Sequence, residues 1–170
     1  HFLNREDIAH RIADSLRLTG QYQQVLEVGP GRGMLTQYLL KQDYRLWVVE
    51  ADRDMVTHLQ KHYPELNEHI IEGDFLKVRF ADFLGDQAFG LIGNFPYNIS
   101  SQIVFRMLDY RHQIPEMVGM FQKEMAERIV AVPGSKTYGA ISVLTQAYYE
   151  GSYLFTVDKS CFSPPPKVQS

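Results

Sequence analysis

Asn94, Phe95, Pro96 and Tyr97 are the residues of this chain whose types and spacing most directly suggest chemistry. They follow an apolar run, Phe89 to Gly93, and precede a helical pattern that starts near Ser100. That order predicts a loop at the carboxyl end of a strand, where open α/β sheets place ligands. An Asn oxygen and a neighbouring backbone carbonyl can together accept both hydrogens of an exocyclic amine. Pro96 removes a backbone donor and stiffens the loop. Tyr97 offers a flat face on which a base can stack. The set suits a demanding reaction, in which the weakly nucleophilic amino group of adenine is turned toward a methyl donor.

A second constellation lies upstream. Glu27-Val28-Gly29-Pro30-Gly31-Arg32-Gly33 sits between a predicted strand and a predicted helix. Gly29, Gly31 and Gly33 allow a sharp turn and close approach of a ligand. The helix start offers unpaired N–H groups to an anion such as the carboxylate of a methionine moiety. The spacing is G-x-G-x-G and not the G-x-G-x-x-G of dinucleotide enzymes. The same glycines also suit a plain helix-entry turn. Glu50 ends the next strand, where a carboxylate can accept from both ribose hydroxyls. It argues for an adenosine-bearing cofactor without choosing between S-adenosylmethionine and NAD. Asp74 follows the third strand and suits an adenine amino group, with the Phe75 N–H donating to the ring; Asp is also a common turn cap. Three such sites at successive strand ends favour a ligand. Phe162, next to Pro164, Pro165 and Pro166, suits a second wall of a base slot opposite Tyr97, or a core anchor.

The elements that must position these residues follow from hydrophobic periodicity. Strands are expected at 25–28, 46–49, 69–72, 89–93, 117–121 and 152–157. Helices are expected at 5–18, 35–41, 52–62, 99–110 with Ser100 or Ser101 as cap, 124–130, and 140–149, where a buried strand is the alternative. Alternation of this kind calls for a mainly parallel, doubly wound α/β sheet in one domain.

Composition supports a soluble globular domain of 170 residues: 45% are hydrophobic and 22% charged, and no run reaches the ~18 apolar residues of a membrane span. One cysteine, Cys161, excludes an intrachain disulfide framework and fits a reducing cytoplasm. A net charge of −3 leaves any nucleic-acid contact to a local face. Arg106, Arg111, Lys123, Arg128 and Lys136 are candidates for such a face, and equally for solubilising charges. His58 and His62 have the i, i+4 spacing of zinc ligands, but no third ligand accompanies them, so no metal is expected. The start without Met and the ending at Pro164–Ser170 suggest a fragment.

Taken together, the chain resembles the ribosomal RNA adenine N6-dimethyltransferases, in particular the bacterial small-subunit enzymes. The resemblance rests on seven ordered segments: His1–Asn4, Glu27–Gly33, Asp74, Asn94–Ser100, Gln122–Glu124, Ser135–Gly139 and Phe162–Val168. It implies a Rossmann-like class I methyltransferase that uses S-adenosylmethionine, truncated before its last strand and lacking the family's helical carboxy-terminal domain. It implies a cytoplasmic monomer acting on two adjacent adenines near the 3′ end of small-subunit rRNA in a 30S precursor. It places His1, Leu3, Glu27, Gly29, Gly31, Gly33, Glu50, Asp74, Phe75 and Asn94 at the cofactor, and Asn94 to Tyr97 with Phe162 at the target base. Position 95 is Phe where the family commonly has Leu, which should be tolerated if only its backbone acts. Other readings are an adenine methyltransferase for large-subunit rRNA or DNA, or a non-catalytic ribosome-assembly factor of the same fold. A dehydrogenase would leave Asn94–Tyr97 without a role.

Overall fold

Strands with apolar residues on both sides need cover on both faces, and the computed structural model, which describes residues 2–170, supplies it with two helical layers. Five strands, β2 (Gln24–Val28), β3 (Arg45–Glu50), β4 (Ile70–Glu72), β5 (Phe89–Asn94) and β6 (Glu116–Met120), form an all-parallel sheet in the order β4-β3-β2-β5-β6. Alternate residues along each strand face opposite layers. Val25, Val48 and Ile92 pack with α1 (Glu6–Ala13), α2 (Thr36–Leu39) and Leu59 of α3 (Arg53–His62). Leu26, Val28, Val49 and Leu91 pack with α4 (Ser100–Asp109), Ile129 of α5 (Lys123–Ile129) and Ile141 of α6 (Ala140–Gln146). Among the described residues no helix is long and apolar enough to cross a membrane.

The order reverses at β2, so the turns after β2 and β5 open beside one another. Such a switch point creates a crevice at the carboxyl ends of the strands. Two glycines make room around β5. The Tyr22 ring packs on Gly90, where a Cβ would come within 2.7 Å. A Cβ on Gly93 would lie 2.5 Å from the Val28 carbonyl oxygen. Edge strand β6 is tied to the N-terminal segment by Glu116, whose carboxylate accepts from the Arg17 and Leu18 N–H groups and the Tyr22 hydroxyl at 2.7–2.9 Å.

Three sequence expectations differ from this structure, the first being the helix expected over 5–18, which ends at Ala13. Residues 152–157 form no strand, because the described chain lays no ladder beside them; only Val157 pairs, exchanging both backbone hydrogen bonds with Ser170. Neither Ser100 nor Ser101 caps α4. A 3-10 turn over Tyr97–Ile99 leads directly into the helix, and the Ser100 hydroxyl instead donates to the Tyr97 carbonyl. A small second sheet was not anticipated: β1 (Phe2–Leu3) pairs antiparallel with β7 (Phe162–Ser163), and the Asn4 side chain donates to Ser163 Oγ at 2.9 Å. Two-residue strands lie below the reach of any periodicity argument.

Candidate active site

The turns after β2, β3, β4 and β5 meet at one edge of the sheet. Register fixes this: Val28 stands opposite Val49 and Gly93, and Glu50 opposite Glu72. The glycine turn requires its glycines. Gly29, Gly31 and Gly33 have φ of 65°, 56° and 90°, a region in which side-chain-bearing residues are strained. A Cβ on Gly33 would collide with the Tyr63 ring, and one on Gly31 would come within 2.8 Å of the Phe2 ring. A Cβ on Gly29 would lie 3.9 Å from the Asn94 carbonyl oxygen, so the first turn borders the Asn94 loop directly.

Glu50 organises the turn. Its Oε1 accepts from the Gly31 N–H at 2.9 Å and its Oε2 from the Asp52 N–H at 3.0 Å. A carboxylate has about four acceptor positions, so two backbone bonds aim it while leaving capacity for a diol. Asp52 in turn caps α3, accepting from the Asp54 N–H.

Asp74 is a turn cap here: its Oδ1 accepts from the Leu76 N–H, and its carbonyl from the Lys77 and Val78 N–H groups, all at 2.9 Å. The preceding Gly73 N–H donates to the Glu50 carbonyl, joining the two strand ends. The Phe75 side chain is buried in the α4-side core.

In the Asn94 loop, Asn94 is the last residue of β5 and half-buried. The Phe95 N–H donates to the Met120 carbonyl, and the Phe95 ring is fully buried against Phe121, centroids 5.2 Å apart. Pro96 is exposed and accepts from the Ile99 N–H. The Tyr97 hydroxyl hydrogen-bonds Ser170 Oγ.

Several side chains stand elsewhere than the sequence suggested. Phe162 is 2% exposed within the α1-side core, which supports the core-anchor alternative; pairing with Leu3 in the β1–β7 ladder turns it inward. Leu3 is buried in the same core. His1 lies outside the described residues. Arg106 points inward to the Leu76 and Val78 carbonyls. Arg111 donates to the Leu108 carbonyl and lies 4.2 Å over the Tyr148 ring, while Arg128 pairs with Glu124 at 3.5 Å. None of these three arginines offers an unengaged cation. Phe2 and Tyr63, which flank the glycine turn, were not singled out. Phe2 carried a signal beside Leu3; Tyr63 carried none, since a residue ending a helix before Pro64 has no distinguishing pattern.

Glu27 braces the turn from below and is 1% exposed. Strand alternation turns it toward α2, where the Thr36 hydroxyl donates to it at 2.5 Å. Burial pushes its carboxyl up to about 8; the Thr36 bond opposes the shift and the Glu50 charge adds to it. A carboxyl raised in the folded state holds a proton the unfolded chain has lost, so stability is fully present below the ordinary carboxylate range and falls as pH rises to about 8. Glu27→Gln keeps an oxygen for Thr36 and cannot ionise. We expect wild-type thermal stability to drop between pH 6 and 8.5 by an amount on the order of a few kcal/mol, and the Glu27→Gln variant to be flatter. Parallel slopes for the two proteins would exclude a buried neutral Glu27.

The parallel sheet, its two helical layers and the crevice at its strand ends define a Rossmann-like domain. The family model described as "Ribosomal RNA adenine dimethylase" matches residues 1–170, and the chain belongs to that family. It is 57% identical over 171 residues to Ribosomal RNA small subunit methyltransferase A of Cytophaga hutchinsonii, covering 100% of this chain and 66% of that protein. Against the protein of the same description from Flavobacterium johnsoniae it is 56% identical, covering 100% and 65%. The chain thus spans about two thirds of the length of these relatives. Among solved structures, a dimethyladenosine transferase from Plasmodium falciparum superposes with a TM-score of 0.82 at 29% identity, covering 99% of this chain and 60% of that one. The 23S rRNA methyltransferase ErmE also gives 0.82, at 28% identity, covering 99% and 66%.

Proposed function

We propose that this chain is the cofactor-binding and catalytic unit of an enzyme that dimethylates N6 of two adjacent adenines near the 3′ end of small-subunit rRNA, with S-adenosylmethionine as donor. The observation that carries the reading is the Glu50 carboxylate, held by the Gly31 and Asp52 N–H groups beside a glycine turn that borders the Asn94 loop. The donor set fits S-adenosylmethionine: a glycine turn for the methionine end, Glu50 for the ribose hydroxyls, and Asp74 with the Phe75 N–H for the adenine. Small-subunit rRNA is favoured over large-subunit rRNA by the more than 50% identity to the bacterial small-subunit enzymes, against 28% to ErmE.

S-adenosylmethionine, when bound, supplies an electrophilic methyl group. The chain's residues do the remaining work by position and charge. Tyr97 gives the target base a stacking face. The Asn94 oxygen and the Phe95 carbonyl accept the N6 hydrogens, which draws the nitrogen lone pair out of the ring system. The methylated amine is a cation and releases its proton readily, so a strong general base is not required. Phe162 contributes by anchoring the Pro164–Pro166 segment and Leu3, and Glu27 by bracing the turn. A groove of about 380 Å³ bounded by Gln169, next to the Ser170 that holds Tyr97, carries Lys123, Lys159 and Lys167 together with Glu124 and Glu127. Its lysines offer cations to RNA phosphates. The enzyme works as a cytoplasmic monomer on a 30S precursor.

The test is calorimetry with S-adenosylhomocysteine and NAD, then transfer of labelled methyl groups by the full-length enzyme to unmethylated small and large subunits, with mapping of the modified bases. Binding of S-adenosylhomocysteine alone and modification confined to small-subunit adenines are expected. Glu50→Ala removes a charge-assisted contact and should weaken binding by roughly 1.5–3 kcal/mol. NAD binding, or methylation of large-subunit rRNA instead, would overturn the reading.

A further inference from the structure

Arg106 lies on α4, the helix that continues from the Asn94 loop, yet its guanidinium reaches across to the turn after β4. Nη1 donates to the Leu76 carbonyl at 2.5 Å and Nη2 to the Val78 carbonyl. The charge sits 4.5 Å from the Phe80 ring centroid, 5.3 Å from Tyr110 and 5.7 Å from Phe75. Phe80 packs edge-on against Tyr110 at 4.8 Å and tilted against Phe75 at 5.6 Å, so the cation is set among three connected aromatic rings. Nε is buried without a hydrogen-bond partner. The side chain is therefore held by its fork and its rings.

The turn that Arg106 grips has divided its own hydrogen bonds. The Asp74 carboxylate and carbonyl take the N–H groups of Leu76, Lys77 and Val78. The carbonyls of Leu76 and Val78 go to Arg106. Between them the two sets fix the turn from both sides, and the turn carries Asp74 and Phe75. A lysine cannot reproduce this, because a single ammonium does not span two carbonyls with the planar fork of a guanidinium.

We propose that Arg106 is a positioning residue for the cofactor's adenine: it sets the place of Asp74 and Phe75 and ties that place to the helix that follows the amine-holding loop. This rests on the reading of Asp74 and Phe75 given above. The alternative role for a cation on α4, a contact to an RNA phosphate, requires the guanidinium to face outward, and it does not.

The experiment compares wild-type, Arg106→Lys and Arg106→Ala forms of the full-length enzyme. Calorimetry measures S-adenosylhomocysteine and its inosine analogue, which carries a carbonyl in place of the adenine amine. Steady-state kinetics separate KM from kcat, and rRNA affinity is followed against salt. Arg106→Lys should weaken S-adenosylhomocysteine about tenfold and narrow the preference for it over the inosine analogue. KM for S-adenosylmethionine should rise with kcat at saturation within about twofold, and the salt slope of rRNA binding should stay unchanged, since no phosphate contact is lost. Equal binding and equal discrimination in wild type and both variants would overturn the proposal. So would a loss of rRNA affinity with cofactor binding intact, or an Arg106→Lys protein that does not fold. A wild-type enzyme that binds no S-adenosylhomocysteine would instead remove the functional reading beneath it.

Discussion

Asn94→Ala is expected to lower kcat on small-subunit rRNA by roughly 10²–10³, the cost of losing one hydrogen-bond partner used in the transition state. Asn94 closes β5 at the point where the glycine turn approaches its carbonyl. Its backbone stays in the ladder with Met120 whatever side chain it carries. The variant should therefore fold and still bind S-adenosylhomocysteine. Adding the second methyl group is the harder demand, because monomethyladenine offers only one N–H. Mass spectrometry of digested rRNA should show monomethyladenine accumulating before turnover disappears. Full dimethylation by the variant, or activity lost only with the fold, would remove Asn94 from the chemistry.

Phe95 should behave in the opposite way. Its ring fills the space over Gly119, so closely that a Cβ there would collide with it, and meets Phe121 edge to face at 74°. Phe95→Ala should cost about 3–5 kcal/mol of stability through lost burial and the cavity left behind. Denaturant unfolding measures this directly. Phe95→Leu refills much of that volume and should cost well under half as much. The backbone carbonyl of residue 95 is common to all three proteins, so kcat per folded molecule should change little in the Leu variant. A stability loss below about 1 kcal/mol for Phe95→Ala would show that the ring does not hold the loop. The sequence alone suggested that only the backbone of this residue mattered. The side chain matters too, but to the fold.

The difference between these two neighbours reflects what periodicity can and cannot carry. The five parallel strands and their helices were legible because apolar runs such as Val25–Val28 and Phe89–Gly93 must be buried on both faces, and turn signals bounded them. The strand-end positions of Gly29–Gly33, Glu50, Asp74 and Asn94 followed from the same alternation. Side-chain direction in irregular segments was not legible. Phe162 and Arg106 are an aromatic and a cation whose types suit a ligand face; each is turned inward by a partner distant in sequence, Leu3 and the Leu76 carbonyl. Residues 152–157 have strand-like composition, but a strand exists only where another lies beside it. Asp74 shows one of its two expected characters directly: it stands just past a strand end and its carboxylate caps its own turn.

The pairing of β1 with β7 orders events during synthesis. Asn4 and Ser163, joined by a side-chain hydrogen bond, are 159 residues apart. A ribosome making this chain delivers Phe2 and Leu3 ahead of every strand of the parallel sheet, and their partner strand only at residues 162–163. The parallel sheet can be completed once β6 has emerged, but the short ladder that seats Phe2 against Gly31 must wait, and closing so long a loop is entropically slow. Until residue 163 is made, the glycine turn lacks the ladder that seats Phe2 beside it, even where every strand of the sheet has been synthesised. In the function proposed above, cofactor binding at that turn would therefore depend on residues made after the whole parallel sheet.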